Sequence, residues 1–113
     1  MNFDHIGIFV KDIKHGLNHL KDIFPIVRCS QEHKDPLLKF IVQFCYDKDG
    51  VCYELVAPNG SNNPVDSVLA SNSDSNILNH IAYRSIVFDK TVEDLRKKGC
   101  VPLGTAKPVI AFD

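Results

Sequence analysis

The sequence predicts an α+β fold built from two related strand-and-helix units, and two observations carry that expectation. The tripeptide Asp4-His5-Ile6 returns 75 residues later as Asn79-His80-Ile81. The same offset then matches Ile8 with Tyr83, Ile13 with Phe88, Leu17 with Val92, Leu20 with Leu95 and Lys21 with Arg96, without a gap. Within each copy the apolar pattern changes from alternation to helical spacing, the mark of a strand followed by an amphipathic helix. A repeated supersecondary unit points to two half-sites made the same way. Each copy carries one histidine at the same strand position, which makes His5 and His80 candidate metal ligands.

The elements follow in order. Phe3 to Val10 alternates Phe3, His5, Gly7 and Phe9 on one face with Ile6, Ile8 and Val10 on the other. Asp12 opens a helix in which Ile13, Leu17, Leu20 and Phe24 share one stripe, and Pro25 stops it. Ile26 to Cys29 is a short strand, and Gln31 to Pro36 is a polar connection. Leu37 to Tyr46 is the strongest β run. Asp47-Lys48-Asp49-Gly50 is a hairpin signal, and Val51 to Ala57 is the return strand.

A four-residue loop places Gln43 opposite Glu54 and Cys45 opposite Cys52, whereas a tighter Asp49-Gly50 turn places Cys45 opposite Glu54. Both registers put Gln43, Cys45, Cys52 and Glu54 on one face. Residues 1–60 thus read as a βαβββ module and residues 61–76, rich in Ser, Asn and Asp, as a linker with one helical turn around Val65, Val68 and Leu69.

The second unit occupies residues 77–113. Its strand runs from Ile77 to about Val87, and its helix from about Asp89 to Lys98, ending at Gly99. Val101 to Leu103 and Val109 to Phe112 read as further strands. The chain then stops at Asp113 with fewer strands than the first unit, which suggests a sequence shorter than the functional protein. An apolar strand at an open edge needs a partner, so a homodimer is expected.

Bulk properties exclude several classes. The 113 residues carry 13 basic and 14 acidic side chains and are 44% hydrophobic, the make-up of one globular domain. This balance offers no basic footprint for nucleic acid and no polybasic membrane patch. No apolar run approaches the ~20 residues of a membrane span, and Met1-Asn2-Phe3-Asp4 does not open a signal peptide. Cys29, Cys45, Cys52 and Cys100 without a secretion signal read as reduced thiols in the cytoplasm.

His5-Ile6-Gly7-Ile8, the helix after it, Tyr53-Glu54-Leu55-Val56-Ala57-Pro58 and Asn79-His80-Ile81-Ala82-Tyr83 together resemble the vicinal oxygen chelate superfamily. This is the fold of glyoxalases, bleomycin-resistance proteins and extradiol dioxygenases, and the pattern is most similar to the methylmalonyl-CoA epimerase and glyoxalase I (lactoylglutathione lyase) branch. The resemblance implies paired βαβββ modules forming a partly open mixed barrel around a divalent metal. It places His5, Glu54 and His80 at three of the four ligand positions, and the fourth, a glutamate on a final strand, would lie beyond Asp113. Zinc, nickel, cobalt, iron and manganese all suit such a set.

The resemblance also implies an acid/base glutamate on the third strand, where this chain has Gln43. Gln takes no proton at neutral pH, which leaves Glu54 and the glutamate beyond Asp113 as candidate bases. Other groups have plainer readings. His15, His19 and His33 read as solvated, Cys45 and Cys52 as small buried hydrophobes, and Phe9 and Tyr83 as core. Arg96, Lys97 and Lys98 read as a helix end that complements its dipole.

The expected function is a metal-dependent isomerase or lyase that removes a proton next to a carbonyl or thioester oxygen of a small substrate. Substrate candidates are 2-oxoaldehyde–thiol adducts and branched acyl thioesters. A non-catalytic ligand-binding protein of the bleomycin-resistance type is the alternative, and the presence of all three ligand residues favours the enzyme. The longer extradiol dioxygenases fit poorly.

Overall fold

Alternating side chains give β1 (Asn2–Phe9) two distinct faces: His5 and Gly7 are buried on one, and Ile6 and Ile8 pack into the core on the other. The computed structural model describes residues 1–60, 62–72 and 76–104. Among these residues the chain forms an open six-stranded sheet with three helices, and the sheet does not close into a barrel. The strands run β2 (Ile26–Cys29), β4 (Phe40–Asp47), β5 (Cys52–Pro58), β1 and β6 (Ile77–Arg84) across the sheet, and β3 (His33–Asp35) pairs with β4 off that path. The β1–β5 pair is parallel and the others are antiparallel, so the sheet is mixed.

Helix α1 (Ile13–Ile23) starts where expected, because the Asp12 carboxylate accepts from the His15 N–H at 2.9 Å and caps the first turn. Its Ile13 and Leu20 pack with Val10, Cys45, Tyr53, Leu55 and Ala57 on one face of the sheet. Strand β2 (Ile26–Cys29) then pairs with β4. The connection expected over Gln31 to Pro36 contains a short strand, β3 (His33–Asp35), folded back on β4 (Phe40–Asp47). Its turn carries no glycine signal. Asp35 accepts from the N–H groups of Leu37 and Leu38, and Lys39 supplies the left-handed residue at φ 57°.

The return strand β5 (Cys52–Pro58) corrects the expected register. Gln43 lies opposite Leu55, Phe44 opposite Glu54, Cys45 opposite Tyr53 and Tyr46 opposite Cys52. The loop holds three residues, Lys48 to Gly50, where two or four were expected. Gly50 takes φ 83°, the Gly50 N–H bonds to the Asp47 carbonyl and the Asp47 N–H to the Val51 carbonyl. This is a turn closed by a left-handed glycine. An odd loop reverses the face assignment of one strand relative to the other. Cys52 and Glu54 therefore share a face with Phe44 and Tyr46, while Gln43 and Cys45 face α1 with Leu55.

The segment expected as a linker carries α2 (Pro64–Ala70), capped by Asn63. Val65 and Leu69 are fully buried against Val42, Phe44, Cys52 and Val56, so α2 packs on the face opposite α1. β6 (Ile77–Arg84) pairs with β1, and α3 (Phe88–Lys97) follows. Val101 to Leu103 forms no strand. The strand expected at Val109 to Phe112 lies outside the described residues. Among the described residues no helix is long and apolar enough to cross a membrane.

Candidate metal site

Pairing registers lay the site out as rows across the sheet. Phe44, Glu54, Gly7 and His80 stand side by side on β4, β5, β1 and β6, all on the face away from α1. His5 stands one row along, with Tyr46, Cys52 and Ala82. Gly7 is the gap in the first row. A Cβ there would overlap the His80 ring, so glycine is what lets His80 lie across β1 toward Glu54 and His5.

The three side chains meet. His5 Nε2 and His80 Nε2 are 3.1 Å apart, His80 Nε2 and Glu54 Oε1 3.2 Å, and His5 Nε2 and Glu54 Oε1 3.4 Å. His5 and Glu54 are buried, and the His80 side chain is 37% exposed. The residue before each histidine fixes its outer nitrogen: His5 Nδ1–H donates to Asp4 Oδ2 at 2.7 Å, and His80 Nδ1–H to Asn79 Oδ1 at 2.7 Å. A carboxylate only accepts, so the outer nitrogen of His5 bears the proton. With Nδ1 carrying the proton, each ring turns Nε2 inward, toward a carboxylate oxygen. Three lone-pair atoms this close repel one another unless a proton or a cation sits among them.

Ligand atoms ~2.1 Å from one ion lie ~3.0–3.4 Å apart at octahedral to tetrahedral angles, and the three distances above fall in that range. The donor set of two imidazoles and one carboxylate suits zinc, iron, cobalt, nickel or manganese. His5, Glu54 and His80 therefore fit a divalent ion, with Asp4 and Asn79 as the outer partners that orient the rings.

Electrostatics agree with a cation-seeking centre. Burial opposes charge on His5, but the adjacent Glu54 and Asp4 outweigh it and raise its pKa above the ordinary histidine value. Burial likewise pushes Glu54 up, yet His5 and His80 outweigh it and hold the carboxylate below its ordinary range. Asp4 also lies low, since His5 and an ion pair with Arg84 Nε overcome the effect of its burial.

Beside the triad, a cavity of ~860 Å³ opens on the same face, lined by His5, His33, Phe44, Tyr46, Tyr83 and Arg84 among others. Gln43, placed by sequence at the acid/base position, is on the far face and donates from Nε2 to the Ser30 carbonyl at 2.8 Å. It is not brought to the site. Cys45 and Cys52 do not meet either: Cys45 pairs across β2–β4 with Cys29, and burial pushes its thiol up to about 12. Tyr83, expected in the core, is 57% exposed and meets Phe3 edge-on.

His33, read as solvated, is half-buried, with its ring 6.2 Å from that of Phe44. The His33 position could have been found only by recognising the glycine-free turn after Asp35. The Asp4 and Asn79 roles were signalled by the repeat itself, which keeps a short side-chain oxygen before each histidine.

Comparison with known proteins bears on the fold. No sequence among the curated proteins matches the chain. The chain is similar in structure to a methylmalonyl-CoA epimerase, with 17% identity over 88% of this chain and 71% of that one and a TM-score of 0.71. It is also similar to the methylmalonyl-CoA epimerase of Mycobacterium tuberculosis, with 18% identity over 87% of this chain and 64% of that one and a TM-score of 0.69. A variant of the Streptomyces coelicolor methylmalonyl-CoA epimerase, solved with 2-nitronate-propionyl-CoA, shares 21% identity over 92% of this chain and 76% of that one at a TM-score of 0.70. These likenesses show a common fold. The profile of one protein family matches residues 4–111, nearly the whole sequence, and with the fold above it establishes that the chain belongs to the glyoxalase, bleomycin resistance protein and dioxygenase superfamily.

Proposed function

We propose that this protein is a metal-dependent isomerase or lyase that removes a proton next to a carbonyl or thioester oxygen of a small substrate. The observation that carries the reading is the convergence of three potential ligand atoms, His5 Nε2, His80 Nε2 and Glu54 Oε1, within 3.4 Å of one another. A bound divalent ion supplies Lewis acidity, which lowers the cost of the negative charge that develops on the substrate oxygen. The chain itself fixes the ligand rings through Asp4 and Asn79, keeps Glu54 ionised beneath them, and opens a cavity at His5 wide enough for a small organic substrate.

The thioester class has the stronger support, since methylmalonyl-CoA is the ligand of a structurally similar epimerase. The test is proton exchange in D₂O, followed by NMR, with protein loaded with zinc, cobalt, nickel, iron or manganese. Substrates are methylmalonyl-CoA and the hemithioacetal of methylglyoxal and glutathione. Metal-dependent deuterium incorporation into one of them is expected. Binding of both without exchange would contradict the reading and favour a ligand-binding protein.

We also infer a homodimer in a reducing compartment such as the cytoplasm. Among the described residues β6 is an edge strand and leaves Leu78, Ile81 and Tyr83 exposed, and the described cysteines are unpaired thiols. Sedimentation as a species of twice 12.7 kDa is expected, and a monomer at micromolar concentration would contradict the dimer.

A further inference from the structure

The proton acceptor of the proposed reaction must face the cavity, and the structure narrows the choice. The titratable or charged side chains lining the cavity, among the described residues, are Asp4, His5, His33, Tyr46, Cys52, Tyr83 and Arg84. Tyr83 stands on β6, more than half exposed and with its ring edge-on to Phe3. Asp4 is held by His5 and Arg84. His5 belongs to the metal set, and the Arg84 guanidinium offers donors and no acceptor. Burial makes the Tyr46 phenol and the Cys52 thiol weaker acids, which keeps both protonated. Glu54 lies beneath the two histidines with Oε1 turned to them, and does not line the cavity.

His33 remains. Its register partner is Val42, so it stands on the same face as Phe44 and the triad, two strands from Glu54. Phe44 lies between the two imidazoles, with ring centroids 6.2 Å from that of His5 and 6.2 Å from that of His33. Among the described residues no hydrogen bond holds a ring nitrogen of His33. His5, Phe44 and His33 line the same cavity, so a substrate that fills it reaches both imidazoles.

We propose that His33 is the catalytic acid/base residue of this site, acting on a thioester substrate; this rests on the functional reading above. The neutral ring nitrogen takes the proton from the carbon next to the thioester carbonyl. The C–H bond breaks, and its electron pair forms the carbon–carbon double bond of an enolate, with the negative charge on oxygen. In reverse the pair returns to carbon, which takes a proton back from the imidazolium or from water exchanged with it. Imidazole suits such transfers because it can hold or release a proton near neutral pH.

The experiment compares the metal-loaded protein with His33→Gln, using methylmalonyl-CoA in D₂O as probe. His33→Gln should bind one metal ion with unchanged affinity and melt at the same temperature, while deuterium incorporation falls ~100-fold or more. In the native protein, the His33 ring ¹H–¹⁵N resonances should shift when the probe is added; this needs no variant. Exchange within about twofold of native in a folded, metal-binding His33→Gln overturns the role of His33 alone. Unshifted His33 resonances at saturating probe overturn it as well. No exchange by the native metal-loaded protein overturns both this role and the functional reading.

Discussion

Ile6 on β1 lies directly opposite Ile81 on β6, and the two are the same position of the sequence repeat. Antiparallel pairing then sets His5 opposite Ala82 and Gly7 opposite His80, a local twofold about the Ile6–Ile81 pair. The two histidines approach from opposite sides of this axis. Symmetry breaks only in the partners: the charged Asp4 backs His5, and the neutral Asn79 backs His80.

That asymmetry is testable. Asp4→Asn keeps an acceptor for His5 Nδ1–H but removes its charge, and the ion pair with Arg84. Metal affinity should fall ~10-fold or more, measured by calorimetry with zinc. Asn79→Asp should raise it. Unchanged affinity in both variants would mean that the outer partners do not tune the site.

Gly7 makes room for His80. Gly7→Ala should push the ring off the triad and weaken zinc binding ~10–100-fold, the range seen when ligand orientation is lost, while circular dichroism stays native. Full affinity in the alanine variant would show that His80 has another route to the centre.

Much of this was legible in the chain. The 75-residue repeat, the faces of β1 and the Asp12 cap all emerged from spacing alone, since each depends on neighbours in sequence. The hairpin register did not. Asp47-Lys48-Asp49-Gly50-Val51 supports loops of two, three or four residues, and only the left-handed Gly50 with the Asp47 carboxylate beneath it selects three. That one residue decides which side of the sheet Gln43 and Cys45 occupy. β3 was hidden for a related reason: Lys39 takes a glycine-like conformation with no glycine to announce it.

Leu55 is fully buried on the α1 face, behind the strand that carries Glu54. Leu55→Ala should cost about 2–5 kcal/mol in urea unfolding and leave zinc stoichiometry intact, because the cavity opens on the other side of the sheet. A loss below about 1 kcal/mol would contradict the packing of that face.

Asp12→Ala should cost about 1 kcal/mol through the lost cap of α1. The neighbouring His15 side chain, with backbone donors of α1, holds the Asp12 carboxylate below its ordinary 3.8. A depressed folded-state pKa means that the cap's contribution is fully present above 3.8 and is lost as the pH falls through the folded value. The difference in stability between native and Asp12→Ala protein should therefore shrink on acidification. A constant difference down to pH ~2 would show that the carboxylate charge plays no part.

Metal stoichiometry tests the central claim most directly. The full chain, dialysed against zinc and then against metal-free buffer, should retain one ion per chain by elemental mass spectrometry. His5→Ala, Glu54→Ala and His80→Ala should each lose it while remaining folded. A native chain that retains no ion, or a His80→Ala variant that retains it as tightly as the native chain, would contradict a metal centre formed by these three residues.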